Sequence, residues 1–499
     1  MSKKLKLNSM FGNGMVLQRD TNLNIFGEAN DGDVITIEFN DKKLSTVAKK
    51  YKWNIELGSF KSGGPYEMKI SNGFKEIVIT DILIGDVYIA GGQSNMEFTL
   101  KESLDGYLEI KEANYPNIRY YNVPRIEYED EKTRIPNLDD GQWEVCTPES
   151  SKDFSAVAYY FAKEINKDID IPIGIIACNK GGTSASCWMS EEYLSKNKDI
   201  KEVYLDKYLN EIKELTLEEE DRNLNIYEEI LSDYNKKVLD YSRKYPERSR
   251  KQLKEDLGHT PWPPPIGRKS FLRPCGLYET MIKKIVGFKV KAVLWYQGEE
   301  DTQYAYLYEN LLSLLIENWR EILGIKNIPF ICVQLPGFND MVEKNWPLLR
   351  EAQLNVSEKM ENVEIVISID CGDEFNVHPL EKETIGKRIA LIVKEKIYGM
   401  NIEGHSPKLI KSEIRDKNII IFFESNIRIK GNDKVFGLEA SIDGEKYFKI
   451  DAHVENEKII ISNNNGVKYK VIRYGWANYP ILNLYAINGL PVSPFRIRL

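Results

Sequence analysis

Histidine is scarce in this chain: there are four in 499 residues, His259, His378, His405 and His453. No two stand at the spacing of a metal-binding pair, and there is no H-E-x-x-H segment. A metal is therefore not expected, and no cofactor-binding fingerprint calls for a cofactor. The six cysteines are scattered and form no C-x-x-C pair. Cys178 and Cys332 fall in apolar, strand-like runs, so buried free thiols are expected, which fits a reducing cytoplasm. A secreted mature form without its signal would have the same composition. No apolar core of signal-peptide length follows Lys4. No run approaches the roughly 18 apolar residues that span a bilayer, so no membrane partner is expected. The net charge is −8 and basic residues form no block, which argues against nucleic acid as a partner. A G-x-S-x-G elbow is also missing.

What is present is an ordinary globular composition, 42% hydrophobic and 29% charged, long enough for two or three domains. Residues 1–80 alternate short strand-like runs with Gly-Asn, Asn-Asp-Gly-Asp, Gly-Gly-Pro and Asn-Gly turns, and predict a small β-sandwich. From residue 81 to about 405, strands alternate with helices, the pattern of a mainly parallel sheet. Helices are expected at Ser155 to Ile165, Leu307 to Ile322, Leu348 to Met360 and Glu381 to Lys396. Residues 190–256 interrupt this pattern with long, charged, helical sequence, read as an insertion with a solvated face. It ends in Trp262-Pro-Pro-Pro, an extended stretch whose aromatic residue could line a pocket. Residues 406–499 return to short strands and form a second β-rich domain. Nothing in the pattern reads out an oligomeric state.

The chain is organised around residues 81–98. Ile82 to Ala90 is an apolar, β-branched run, hence a buried strand. Gly91 and Gly92 break it, and Gln93-Ser94-Asn95 follow at its C-terminal edge, where ligands bind in open α/β sheets. A serine there has access and nearby backbone N–H donors, which suits a nucleophile attacking a carbonyl.

Three further polar clusters fall at strand ends: Gly181-Gly182, Gln297 and His378. Parallel strands all point one way, so these ends converge. Of the four histidines only His378 follows a core strand, which makes it the candidate base for Ser94. Gly182 can offer an unobstructed N–H and Gln297 a side-chain amide. With the N–H of Ser94 they would form an oxyanion hole, where losing one donor costs ~10²–10³-fold in rate. Gln93, Asn95 and Glu299 are candidate substrate contacts. So is Arg273, which could meet a carboxylate or form a structural ion pair.

Gly92-Gln-Ser-Asn-Met96 resembles the signature of the sialate O-acetylesterase family of SGNH (GDSL-like) hydrolases. So do Met15-Val-Leu-Gln-Arg19, Gly63-Gly-Pro-Tyr66, Phe154-Ser-Ala-Val157, Gly181-Gly-Thr183, Trp295-Tyr-Gln-Gly-Glu299, Arg350-Glu-Ala-Gln353, His378-Pro379, Arg473-Tyr474, and the ending from Asn483-Leu-Tyr485 to Arg496. The resemblance covers nearly the whole chain. It implies a flavodoxin-like, three-layer α/β/α catalytic domain flanked by β domains, acting on acetylated sugars or oligosaccharides. It also implies Ser94 as nucleophile and His378 as base. The alternatives are an acetyl xylan or hemicellulose acetylesterase, and a carbohydrate-binding protein that has lost catalysis. One departure motivates the last: many of these enzymes carry an Asp three residues before the histidine, and here that position is Phe375. The orienting group is then Glu374 or Asp373, or a backbone carbonyl such as that of Asn376 in a Ser-His dyad, the arrangement favoured here.

Overall fold

A computed structural model of the protein describes residues 4–128, 141–339, 345–431, 433–463 and 466–499. We number the strands of its main sheet and the principal helices in chain order. The strands are β1 (Glu76–Gly92), β2 (Tyr115–Asn122), β3 (Trp143–Cys146), β4 (Ile173–Asn179), β5 (Ala292–Tyr296), β6 (Phe330–Val333) and β7 (Val363–Val366). The helices are α1 (Ser94–Glu97), α2 (Ala156–Asp168), α3 (Leu217–Lys244), α4 (Arg250–Leu257), α5 (Ala305–Ile322), α6 (Trp346–Lys359) and α7 (Glu383–Lys396).

The sheet order is β3-β2-β4-β1-β5-β6-β7, parallel throughout except for β3 at the edge. Fully buried parallel strands need apolar residues on both faces, and β4 and β5 are buried along their whole length. Helices cover both faces. Tyr88 of β1 meets Phe161 of α2, with ring centroids 4.9 Å apart. Three residues on, at the opposite pleat, Gly91 faces Trp319 of α5.

β1 is the central strand and the longest. Its first half pairs with Val16–Gln18 and Gly63–Ser71, its second half with β4 and β5. One strand thus runs through the expected boundary at residues 80 and 81, and a single apolar core extends from Leu5 to Val393. Leu5–Leu7, Leu23–Ala29 and Lys52–Gly58 form a separate three-stranded antiparallel sheet. The C-terminal strands enclose a core of their own, from Ile419 to Phe495. They are tied to the parallel sheet by Arg496 on Glu351 of α6 and by the buried Arg350, which donates to the carbonyls of Ala477 and Asn478.

The charged insertion is helical, as its composition predicts. Along the 28 residues of α3, Glu220 is the one buried side chain, paired with Arg268. No helix among the described residues is long and apolar enough to cross a membrane.

Candidate active site

Register brings the site together. Gly92 of β1 lies opposite both Asn179 at the end of β4 and Tyr296 at the end of β5. The three chains therefore leave the sheet at one level, as Gln93-Ser94, Lys180-Gly181-Gly182 and Gln297-Gly298. Gly92 makes the exit possible. Its φ is +134°, and a Cβ there would lie 2.1 Å from the Tyr296 carbonyl oxygen. The chain then enters α1, with Ser94 at its first position.

His378 arrives from the far side. The segment after β7 is pinned by a two-pronged Arg388–Asp370 pair, at 2.6 and 2.8 Å. The carboxylate of Asp373 accepts from the N–H groups of Phe375 and Asn376. Asn376 brackets the histidine: its Oδ1 accepts from the His378 N–H and its Nδ2 donates to the His378 carbonyl. The result is a 2.7 Å contact between His378 Nε2 and Ser94 Oγ. Among the described residues the one hydrogen bond of the ring is that of Nε2, and none is made by Nδ1. Asp373 and Asn376 therefore fix the loop rather than the ring, and Glu374 serves the loop through its carbonyl, which accepts from the N–H of Asn339. Burial pushes the imidazole down to about 4, helped by the nearby charges of Lys382, Arg250 and Lys254, while Glu102 pulls the other way. The ring is neutral at neutral pH, as a general base must be.

Facing Ser94, the Gly181-Gly182 turn is held by Glu97 of α1. Glu97 Oε2 accepts from the Gly181 N–H at 2.5 Å, and its Oε1 pairs with Arg125. A Cβ on Gly181 would lie 3.3 Å from Ser94 Cβ, so turn and nucleophile are in contact. The N–H groups of Ser94 and Gly182 have no intramolecular acceptor among the described residues. Two free donors beside an attacking oxygen are what a developing oxyanion requires.

The remaining expected contacts point inward. Gln297 is at the right level, but its Nε2 donates to the Thr183 carbonyl (3.0 Å) and to Asp301 (2.7 Å), while its Oε1 accepts from Tyr308. In this arrangement the amide frames the hole by holding Thr183. Gln93 is buried and joins the β1 and β5 exits, accepting from the N–H groups of Gly298 and Glu300. Asn95 is also buried. Its Nδ2 donates to Glu299 (2.5 Å) and to the Val377 carbonyl (3.0 Å), and its Oδ1 accepts from Lys382 (2.6 Å). Asn95, next to Ser94 and held by Glu299, thus grips the backbone next to His378. Arg273 donates to the carbonyls of Glu127 and Ser270 and lies over the Tyr128 ring.

Two residues were missed by sequence reasoning. Asp301 accepts from Ser184 Oγ, the Ala185 N–H, Gln297 and Tyr204, and ties the Gly-Gly-Thr-Ser turn to the β5 exit. Its place four residues after Gln297 was the available signal. Lys382, four residues after His378, is a lysine buried between the rings of Phe98 and Tyr296. Burial pushes its ammonium down to about 7, against the pull of Glu299, Cys371 and Glu381. Among the described residues no group of three or more His, Cys, Asp or Glu side chains is placed to hold a metal ion.

This geometry makes a pH prediction. With His378 as base, kcat/KM should hold level from pH 8 to 6 and fall as pH drops through about 4, where the imidazole gains its proton. Lys382→Met removes a positive charge that disfavours that proton, so the acid limb should move up by about one pH unit. It should stay below 6.5, because burial, the largest cause, remains. A pH–rate profile of the folded variant with an unmoved limb would remove Lys382 from the electrostatics of the base.

Residues 266–393 match the family profile "SASA: Carbohydrate esterase, sialic acid-specific acetylesterase". The human sialate O-acetylesterase is 24% identical over 539 aligned positions, covering 98% of this chain and 91% of that protein. A probable carbohydrate esterase of Arabidopsis thaliana is 37% identical over 103 positions, 19% of this chain and 37% of that protein. The crystal structure of a carbohydrate acetylesterase from Xanthomonas citri superposes with a TM-score of 0.78 at 26% identity, covering 99% of both chains. In sequence over nearly its whole length the chain is similar to sialate O-acetylesterases, and in fold to a carbohydrate acetylesterase.

Proposed function

We propose that this protein is a serine esterase that removes O-acetyl groups from a carbohydrate by way of an acetyl-enzyme. The observation that carries the reading is the 2.7 Å contact of Ser94 Oγ with a neutral, half-buried His378 beside two free N–H groups. Ser94 attacks the acetyl carbonyl as His378 Nε2 takes its proton. The tetrahedral oxyanion is received by the N–H groups of Ser94 and Gly182. Gln297, Asp301 and Glu97 keep the Gly182 turn in place. The imidazolium then protonates the sugar oxygen as it leaves, and the same histidine draws a proton from the water that cleaves the acetyl-enzyme. With no carboxylate on Nδ1, the pair works as a dyad. Asn376, Asn95 and the Val377 carbonyl do the positioning.

The reading includes an SGNH-type catalytic domain over 81–405, with β-rich domains at 1–80 and 406–499, in a cytoplasmic protein. The parallel sheet with helices on both faces and the six free cysteines support it. O-acetylated sialic acid is the first substrate to test, because relatives matching 98% of the chain carry that name. Acetylated xylo-oligosaccharide is the second. The test is acetate release by wild type from 9-O-acetyl-N-acetylneuraminic acid and from acetylated xylobiose, side by side. Release from the first alone is the expected result. Release from the second alone would transfer the activity to hemicellulose, and release from neither would overturn the carbohydrate reading.

A further inference from the structure

The helical insertion does more than sit on the side of the sheet. It reaches both lips of the site. On one lip, Lys254 of α4 donates to the Phe375 carbonyl at 2.8 Å, and Lys251 lies over the Phe375 ring, three residues before His378. Eight residues after Lys254, Trp262 lies on the other lip, against Gly182. The contact is close: a Cβ built on Gly182 would fall 2.2 Å from Cη2 and 2.5 Å from Cζ2 of the indole. Gly182, with φ +73°, is therefore required twice, by its backbone and by the ring above it.

The loop that presents Trp262 is built. Tyr227 and Tyr234 of α3 donate to the carbonyls of Pro261 and Gly258, at 3.1 and 2.8 Å. Phe271 stands beside the indole, centroids 6.4 Å apart, and Lys180 Nζ lies over the Phe271 ring, 4.5 Å from its centroid. Despite these supports the Trp262 side chain keeps 40% of its surface exposed. A fixed, exposed indole beside a pair of free N–H donors is placed to meet whatever binds at those donors. A sugar offers a matching surface: its axial C–H groups form an apolar face that packs on an aromatic ring, and its hydroxyls stay in water.

Resting on the esterase reading above, we infer that Trp262 is the specificity-determining residue, the platform on which the sugar stacks while its acetyl carbonyl lies at Ser94 and Gly182. The insertion supplies substrate selection, and the sheet supplies chemistry. An open-chain acetate ester uses the same nucleophile and hole without the platform.

The test compares kcat/KM on the acetylated sugar that wild type hydrolyses with kcat/KM on ethyl acetate. The variants are Trp262→Ala, Trp262→Leu and Trp262→Phe, each checked for folding by circular dichroism. Leu keeps apolar contact with Gly182 but has no ring, so it serves if Ala does not fold. In Ala and Leu the sugar-to-ethyl-acetate ratio should fall about tenfold or more, mainly through KM. In Phe it should stay within about threefold of wild type. A ratio that holds in Ala or Leu, with both substrates losing equally, overturns the assignment and leaves Trp262 as a prop for Gly182. Leu retaining as much as Phe overturns it too. If wild type hydrolyses ethyl acetate but neither acetylated sugar, the carbohydrate reading falls first and this inference with it.

Discussion

Ser94→Ala should lower kcat/KM for acetate release by ~10⁴–10⁶-fold, the scale seen when a nucleophile is removed from a serine-histidine pair. The fold should be untouched. Among the described residues the hydroxyl has one partner, His378, and its loss leaves no other group unsatisfied. His378→Ala should cost a similar amount, and the double variant little more than either single one, because the two groups act as a unit. Acetate release and the unfolding midpoint should be measured on the same preparations. A Ser94→Ala enzyme within about tenfold of wild type would remove Ser94 as nucleophile. It would also reopen the question of a protein that only binds sugar.

Asp301→Ala is expected to be the most damaging substitution for stability near the site, at ~3–5 kcal/mol. The carboxylate is fully buried and accepts from four donors: Ser184 Oγ, the Ala185 N–H, Gln297 Nε2 and the Tyr204 hydroxyl. Burial raises its pKa while those four donors pull against the rise. Alanine would leave all four facing a void. Asp301→Asn keeps the volume and one acceptor oxygen, but turns an NH₂ toward groups that are themselves donors, so it should recover part of the loss. The measurement is the urea midpoint of wild type and both variants. An unchanged midpoint in Asp301→Ala would show that the turn at Gly181–Thr183 holds without it. Activity should fall as well, since Gln297 loses the partner that fixes its amide and, through Thr183, the Gly182 N–H.

These two expectations differ in how far they could be seen from sequence. Ser94 and His378 were legible because each follows an apolar strand-like run, and parallel strands bring their C-terminal ends to one edge. The scarcity of histidine did the rest. Asp301 was not legible as a hub. Its four partners lie between four and 117 positions away, and only the closed sheet places them around one carboxylate.

The chain by itself thus determined which strand ends carry polar turns to one edge, which serine and histidine meet, that an insertion is helical and solvated, and that both ends are β-rich. Those features depend on local period, turn chemistry and the shared direction of parallel strands, all of which are written along the sequence. The tertiary structure alone decided which way the polar side chains around Ser94 point. Gln93, Asn95, Glu299 and Gln297 read as substrate contacts or oxyanion donors. They instead satisfy buried partners up to 287 positions away, because a buried polar group must find a hydrogen bond wherever the fold offers one. The same holds for Lys382 and Trp262. One is buried beside the base and the other is laid over Gly182, each by packing between segments far apart in sequence, which no local pattern encodes.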